Sequence, residues 1–140
     1  MKRVFLDTNI VLDLLGERTP WAEDAARLAS LADRGEVTLF ASAVTIATVD
    51  YFLTRFTSAS ISRDKLRKFS TLCGIAISDQ STIAKALESP IEDFEDALQH
   101  ECARQAGCDV LITRNGKDFR KASLPVLSPA AYLVALKTTK

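Results

Sequence analysis

Asp7, Asp93, Asp96, Asn115 and Asp118 are the residues of this 140-residue chain whose types and places could do chemistry. Each stands where an apolar run gives way to a helix start or a loop. Val4, Phe5 and Leu6 form a short apolar run that reads as a buried strand. Asp7 follows at once, then Thr8 and Asn9, residue types preferred at helix N-caps. A carboxylate at the C-terminal end of a parallel strand, facing a helix start, lies where open α/β sheets place their sites. The structural alternative is that Asp7 caps the helix. Asp93 and Asp96 have the spacing of an N-cap and the third helical position, so Asp93 reads as a cap favoured by the helix dipole. Asp96, on the same face, is the better ligand candidate. Asn115 and Asp118 follow the apolar run Val110-Leu111-Ile112, and Asp118 alternatively caps a single turn around Phe119.

Carboxylates brought together at one sheet edge repel one another unless a cation neutralises them. Oxygen ligands, with one His in the chain and no paired Cys, favour a hard ion, Mg²⁺ or Mn²⁺. Such ions polarise a phosphoryl oxygen and activate water near neutral pH, which are the parts needed to hydrolyse a phosphodiester. His100 stands four residues after Asp96, but a lone His is weak support for zinc and reads as a partly exposed polar residue. Two basic stretches could hold a nucleic-acid backbone around the acidic centre. One comprises Arg55, Arg63, Lys65, Arg67 and Lys68; the other comprises Arg114, Lys117, Arg120 and Lys121. A solvated helix face is the plain alternative for either.

The elements that must position these residues alternate along the chain. After the first helix, which stops at Gly16, helical spacing runs from about Trp21 to Arg34, with Gly35 as its stop. Val37–Ala41 reads as a strand and Ala43–Arg55 as a helix. Thr57-Ser58-Ala59-Ser60 is the most linker-like stretch. A helix over about Ser62–Cys73 then leads into a strand at Ile75–Ile77. Asp79 opens a helix to about Leu87, and the acidic start at Asp93 opens one reaching about Ala106. Val110–Ile112 and Val126–Leu127 are strands, and a last helix covers about Pro129–Lys137. Strands separated by helices make a parallel sheet covered on both faces. The expected fold is α/β, a three-layer α/β/α arrangement around a mainly parallel sheet of about four or five strands.

Composition fits one domain over residues 1–140, enough to bury roughly two-thirds of the unfolded surface. The 18 basic and 18 acidic residues balance, so overall charge argues for neither nucleic acid nor membrane. Cys73, Cys102 and Cys108 are scattered, which suits reduced core thiols in a cytoplasmic protein rather than a disulfide framework. No apolar run approaches a membrane span, and no signal peptide is visible.

Taken together, Phe5-Leu6-Asp7-Thr8-Asn9, Asp93-Phe94-Glu95-Asp96-Ala97-Leu98-Gln99 and Ile112-Thr113-Arg114-Asn115-Gly116-Lys117-Asp118-Phe119 resemble the PIN-domain family. The likeness is strongest to the ribonuclease toxins of VapBC-type toxin–antitoxin systems, and it runs along essentially the whole chain. The resemblance implies a Mg²⁺- or Mn²⁺-dependent endoribonuclease acting on RNA, a homodimer, and inhibition by a small cognate antitoxin. On that pattern Asp7 and Asp96 match the first and third acids, and Asn115 and Asp118 match the variable fourth region. One position departs from it. The family's second acid is a Glu in a Thr-x-x-Glu pattern, and Thr45-Ile46-Ala47-Thr48 puts Thr48 there. Asp50, two residues on, lies about 200° around the helix and cannot stand in. Two alternatives therefore stay open: a PIN fold with weakened or lost catalysis that binds RNA or protein, and a phosphohydrolase using Asp7 as nucleophile. The latter class commonly needs a second Asp where Asn9 stands.

Overall fold

The pleat of the first strand divides the molecule into two cores. β1 (Arg3–Leu6) buries Val4 and Leu6 on one face and Phe5 on the other. The structure, a computed structural model, describes residues 2–138. β1 pairs in parallel with β2 (Thr38–Ser42) on one side and β4 (Val110–Ile112) on the other. β3 (Cys73–Ala76) and β5 (Val126–Leu127) form the edges, giving the order β3-β2-β1-β4-β5.

One layer of helices covers the Val4 face: α1 (Thr8–Leu15), α2 (Ala22–Asp33), α3 (Ala43–Phe56), α4 (Ala59–Phe69) and α7 (Pro129–Thr138). α5 (Gln80–Leu87), α6 (Phe94–Gln105) and the 3-10 turn Gly116–Phe119 cover the Phe5 face. The three-layer α/β/α expectation is met, with a sheet that is parallel throughout. Chain order runs outward from β1 to β3 in one direction and from β4 to β5 in the other. The crevice at the C-terminal ends of β1 and β4 is therefore the sheet's topological switch point. Asp7 and Thr113 open from those ends.

Two elements differ most from the sequence reading, the fourth helix and the third strand. The fourth helix begins at Ala59 rather than Ser62 and ends at Phe69 rather than Cys73. The cause is Ser58, whose Oγ accepts the Ile61 N–H at 3.1 Å and caps the helix from inside the stretch that read as linker. The third strand is accordingly Cys73–Ala76, in register with Leu39–Ser42, and Ile77 lies beyond it, 69% exposed. The three cysteines are buried free thiols.

A charge sits inside the first layer. Asp13 of α1 is fully buried, 2.8 Å from Arg18 Nη2 and 2.7 Å from Arg114 Nε. Arg114 also stacks its guanidinium 3.9 Å above the Trp21 ring. The network ties α1 to the loop after β4. Breaking a buried pair strands its partners without a counter-charge. Asp13→Ala is therefore expected to cost about 3 kcal/mol of unfolding free energy, near the low end because the Arg18 and Arg114 side chains are only partly buried, 37% and 22% exposed. Urea unfolding of the full chain checks this, and a loss under about 0.5 kcal/mol, the usual size for a surface change, would contradict it.

Candidate active site

Asp7 leaves β1 at its C-terminal end, where its N–H still donates to Ile112 C=O at 3.0 Å and continues the β1–β4 ladder. Its side chain is buried. Oδ1 accepts the Thr8 N–H at 2.9 Å, so Asp7 does cap α1. Oδ2 accepts the Thr113 hydroxyl at 2.8 Å. Gln99 Nε2 lies 3.4 Å from Oδ1, 3.3 Å from Thr8 Oγ1 and 2.8 Å from Thr45 Oγ1. Ser42 Oγ in turn donates to Gln99 Oε1 and accepts the Thr45 N–H. Capping thus uses one oxygen of Asp7 and leaves the carboxylate at the wall of a cleft.

That cleft, about 310 Å³, is lined by Asp7, Thr8, Asn9, Leu12, Thr48, Phe52, Asp93, Glu95, Asp96, Asn115 and Asp118. Among the sequence candidates it brings together Asp7, Asp96, Asn115 and Asp118. Asp93 caps α6 as expected, accepting the Asp96 N–H at 3.0 Å, yet also lines the cleft. Asp118 is not the cap of the turn around Phe119. It lies within that 3-10 turn, held by its N–H to Asn115 C=O at 2.9 Å and by the buried Phe119 beside it. Thr48 also lines the cleft. Asp50 points elsewhere and accepts from Ser62 Oγ at 2.6 Å, joining α3 to α4.

The electrostatics single out Asp96. Burial, followed by the charges of Asp93, Asp7, Asp118 and Glu95, pushes its carboxyl up from 3.8 to about 7. Among the described residues no three His, Cys, Asp or Glu side chains approach closely enough to hold a metal by themselves. An oxygen-only set under like-charge repulsion, short of a closed cage, suits Mg²⁺ or Mn²⁺, which keep several waters and take one or two carboxylates.

Other expectations are corrected. His100 is buried rather than partly exposed. Its Nε2 accepts the Ser123 N–H at 3.1 Å, and burial pushes its pKa down. It lines a different cavity from the carboxylates. Arg114 turns away to Asp13. In the first basic stretch Lys65 donates to Leu15 C=O at 2.7 Å and Arg67 pairs with Asp64 at 2.7 Å. Lys117, Arg120 and Lys121 do flank the acids, lining an adjoining cleft of about 250 Å³ with Asp93, Asp96 and Asp118. Sequence reasoning gave no role to Thr113 or Gln99. The signals available were Gln99 one helical turn after Asp96, and Thr113 as the first residue beyond β4.

The family model described as PIN domain matches residues 3–117. The chain belongs to the PIN-domain family. No curated protein matches it. Among solved structures, this PIN domain is similar to VapBC2 from Rickettsia felis, bound to a DNA fragment from its promoter. That match has 19% identity, 90% of this chain and 97% of that one covered, and a TM-score of 0.69. A toxin–antitoxin complex from Klebsiella pneumoniae matches at 24% identity, with coverage of 90% and 97% and a TM-score of 0.67. VapC20 from Mycobacterium tuberculosis, described as a sarcin-ricin loop cleaving toxin, matches at 16% identity, with coverage of 77% and 86% and a TM-score of 0.60. At these identities the likeness establishes the fold. No helix of the described residues is long and apolar enough to cross a membrane.

Because Asp96 holds its proton more tightly folded than unfolded, the folded chain binds the extra proton between pH 3.8 and about 7. Stability contributed by this group therefore falls as pH rises through that window. In chelator-treated protein, Asp96→Asn is expected to be more stable than the parent at pH 8 and to lose part of the downward slope. Identical stability–pH curves for the two proteins would show that Asp96 carries no such strain.

Proposed function

We propose that this PIN domain is a Mg²⁺- or Mn²⁺-dependent endoribonuclease, the toxin of a toxin–antitoxin pair. The observation that carries the reading is the convergence of Asp7, Asp96, Asp118 and Asn115 on one cleft, with the proton affinity of Asp96 raised by burial and by the charges around it. One or two of Asp7, Asp96 and Asp118 would hold the ion directly, and the rest would reach it through its waters. When bound, it supplies positive charge to the scissile phosphate and lowers the pKa of water. Asp7 enters this work pre-oriented, since Thr8, Thr113 and Gln99 fix its plane. Asp96 and the Asn115 amide orient the attacking water. Lys117, Arg120 and Lys121 hold the flanking phosphates, an electrostatic contact that carries no sequence information. The similar structures crystallised as toxin–antitoxin complexes support a small antitoxin as partner, and a second copy of the chain completes the proposed assembly. This assignment places the protein in the cytoplasm, where its RNA is.

The test is cleavage of a structured RNA pool by the purified chain in Mg²⁺, Mn²⁺ or EDTA. Metal-dependent cutting is expected, reduced by about a hundredfold or more in Asp7→Asn and Asp96→Asn. Cutting that survives both substitutions would put the active site elsewhere. Thr48, standing in the cleft where the family carries Glu, favours a second reading, a PIN fold that binds RNA or protein without cutting. Absence of cutting in every metal, with RNA still bound, would select it.

The same position gives a gain-of-function prediction. Thr48→Glu adds a carboxylate to the cleft and is expected to tighten Mg²⁺ binding by about tenfold, since affinity for hard cations follows ligand charge. Calorimetric titration with Mg²⁺ reads this directly. Unchanged affinity would mean that residue 48 stands too far from the ion.

A further inference from the structure

One wall of the carboxylate cleft is aromatic. Thr45, Thr48 and Phe52 lie three and then four residues apart on α3, so they share one face of the helix. Thr45 faces the site, because it bonds Gln99 and Thr8. Phe52 is 37% exposed and lines the cleft with Asp7, Asp96 and Asp118. It stands four residues, about 6 Å along the helix, beyond Thr48. Tyr51 packs edge-on against it, with ring centroids 5.5 Å apart and planes at 80°. Arg55 fixes Tyr51 in turn: its guanidinium lies 5.4 Å from the ring centroid and donates to the phenol oxygen at 2.8 Å. A braced aromatic ring thus borders a cleft otherwise rich in acids, hydroxyls and amides.

We propose that Phe52, braced by Tyr51 and Arg55, is a stacking platform for an unpaired base of single-stranded RNA beside the phosphate that enters the carboxylate cleft. The inference rests on the nuclease reading and names its substrate class. A single exposed Phe on a helix is ordinary surface; the difference here is the company it keeps. An apolar peptide side chain set on Phe52 would bring nothing to satisfy the acids alongside. A nucleotide brings both a π-face for the ring and a phosphate for the cation those acids would hold. The base must be unpaired, because a duplex keeps its faces stacked on its own neighbours. The basic cleft of Lys117, Arg120 and Lys121 lies beside the acids of α6 and the 3-10 turn, so the strand would run from that cleft past the acids to Phe52.

The test uses the full chain and single-stranded RNA carrying 2-aminopurine at each position flanking the cut. Cleavage is measured in Mg²⁺ and fluorescence quenching in EDTA. Phe52→Leu keeps the apolar bulk without the π-face, and Phe52→Trp restores it. Phe52→Leu is expected to raise KM by about tenfold to a hundredfold, the range for losing one base–aromatic stack. Its kcat should stay within about twofold of the parent, with quenching lost at one position and the tryptophan variant recovering both. Equal KM and quenching in parent and Phe52→Leu would overturn the platform and leave the nuclease intact. Phe52-dependent quenching without cutting in any metal would leave the platform standing and overturn the nuclease. Neither cutting nor quenching by the parent would overturn both. RNA behaviour untouched by Phe52→Leu, alongside weakened binding of a protein inhibitor, would assign the ring to a peptide and overturn the proposal.

Discussion

The hydrogen bond from Thr113 to Asp7 crosses the one seam of the sheet where chain order reverses, and the cleft depends on it. Asp7 is buried, and a buried carboxylate is costly unless donors replace its lost water. Three elements supply those donors: the Thr8 N–H from α1, the Thr113 hydroxyl from the end of β4, and Gln99 from α6. Each is in place only when β1 and β4 pair in register and α6 lies across the Phe5 face. Assembly of the sheet and orientation of the acid are therefore one event. The polar chain continues through Thr45 and Ser42 to the end of β2, so the central strands, the three parallel to one another at the switch point, are tied together at their C-terminal ends by side chains as well as by backbone. In a low-dielectric interior a satisfied network of this kind fixes one arrangement, because any alternative leaves a buried donor or acceptor unpaired.

The Asp13 network holds the same seam from behind. Arg114 lies between Thr113, which bonds Asp7, and Asn115, which lines the cleft. Its bidentate grip on Asp13, at 2.7 and 3.2 Å, fixes the loop between them to α1. A hydrophobic pair of similar volume could hold α1 to that loop at less desolvation cost. What the ion pair adds is direction: a forked guanidinium meets a carboxylate in few orientations. The backbone that carries Asn115 is thereby set relative to the backbone that carries Asp7.

The parts of this arrangement that were legible in the sequence are the local ones. A strand followed by Asp-Thr-Asn, and a helix opened by Asp93 three residues before Asp96, announce themselves through capping chemistry and periodicity that act within a few residues. The convergence of the four acid and amide positions follows from parallel topology alone. Roles set by packing between distant elements were not legible. Gln99 looks like any polar helical residue until α6 is laid against α3. Asp13 lies among the apolar residues of the first helix, and nothing local marks its burial, since its partner Arg114 arrives from 101 residues away. His100 is buried because the Ser123 loop folds over it. Ser58 was hidden for a different reason: a Thr-Ser-Ala-Ser run resembles a linker, and only the hydrogen bond to Ile61 shows it to be a helix start.

Thr48 sharpens what the cleft's charge means. With a hydroxyl at residue 48 rather than a carboxylate, α3 brings no acid to the cleft, and on that ground alone Asp96 would titrate as an ordinary side chain. It does not. Burial raises its carboxyl first, and the charges of Asp93, Asp7, Asp118 and Glu95 add to it, to about 7. The acids beside it in sequence, Asp93 and Glu95, line the cleft from the start of α6. On the nuclease reading this changes the shape of the site more than its capacity for a cation: acid is concentrated on the α6 side, and the α3 side is left to Thr48 and Phe52. A wall relieved of its carboxylate is the wall against which an uncharged base can lie.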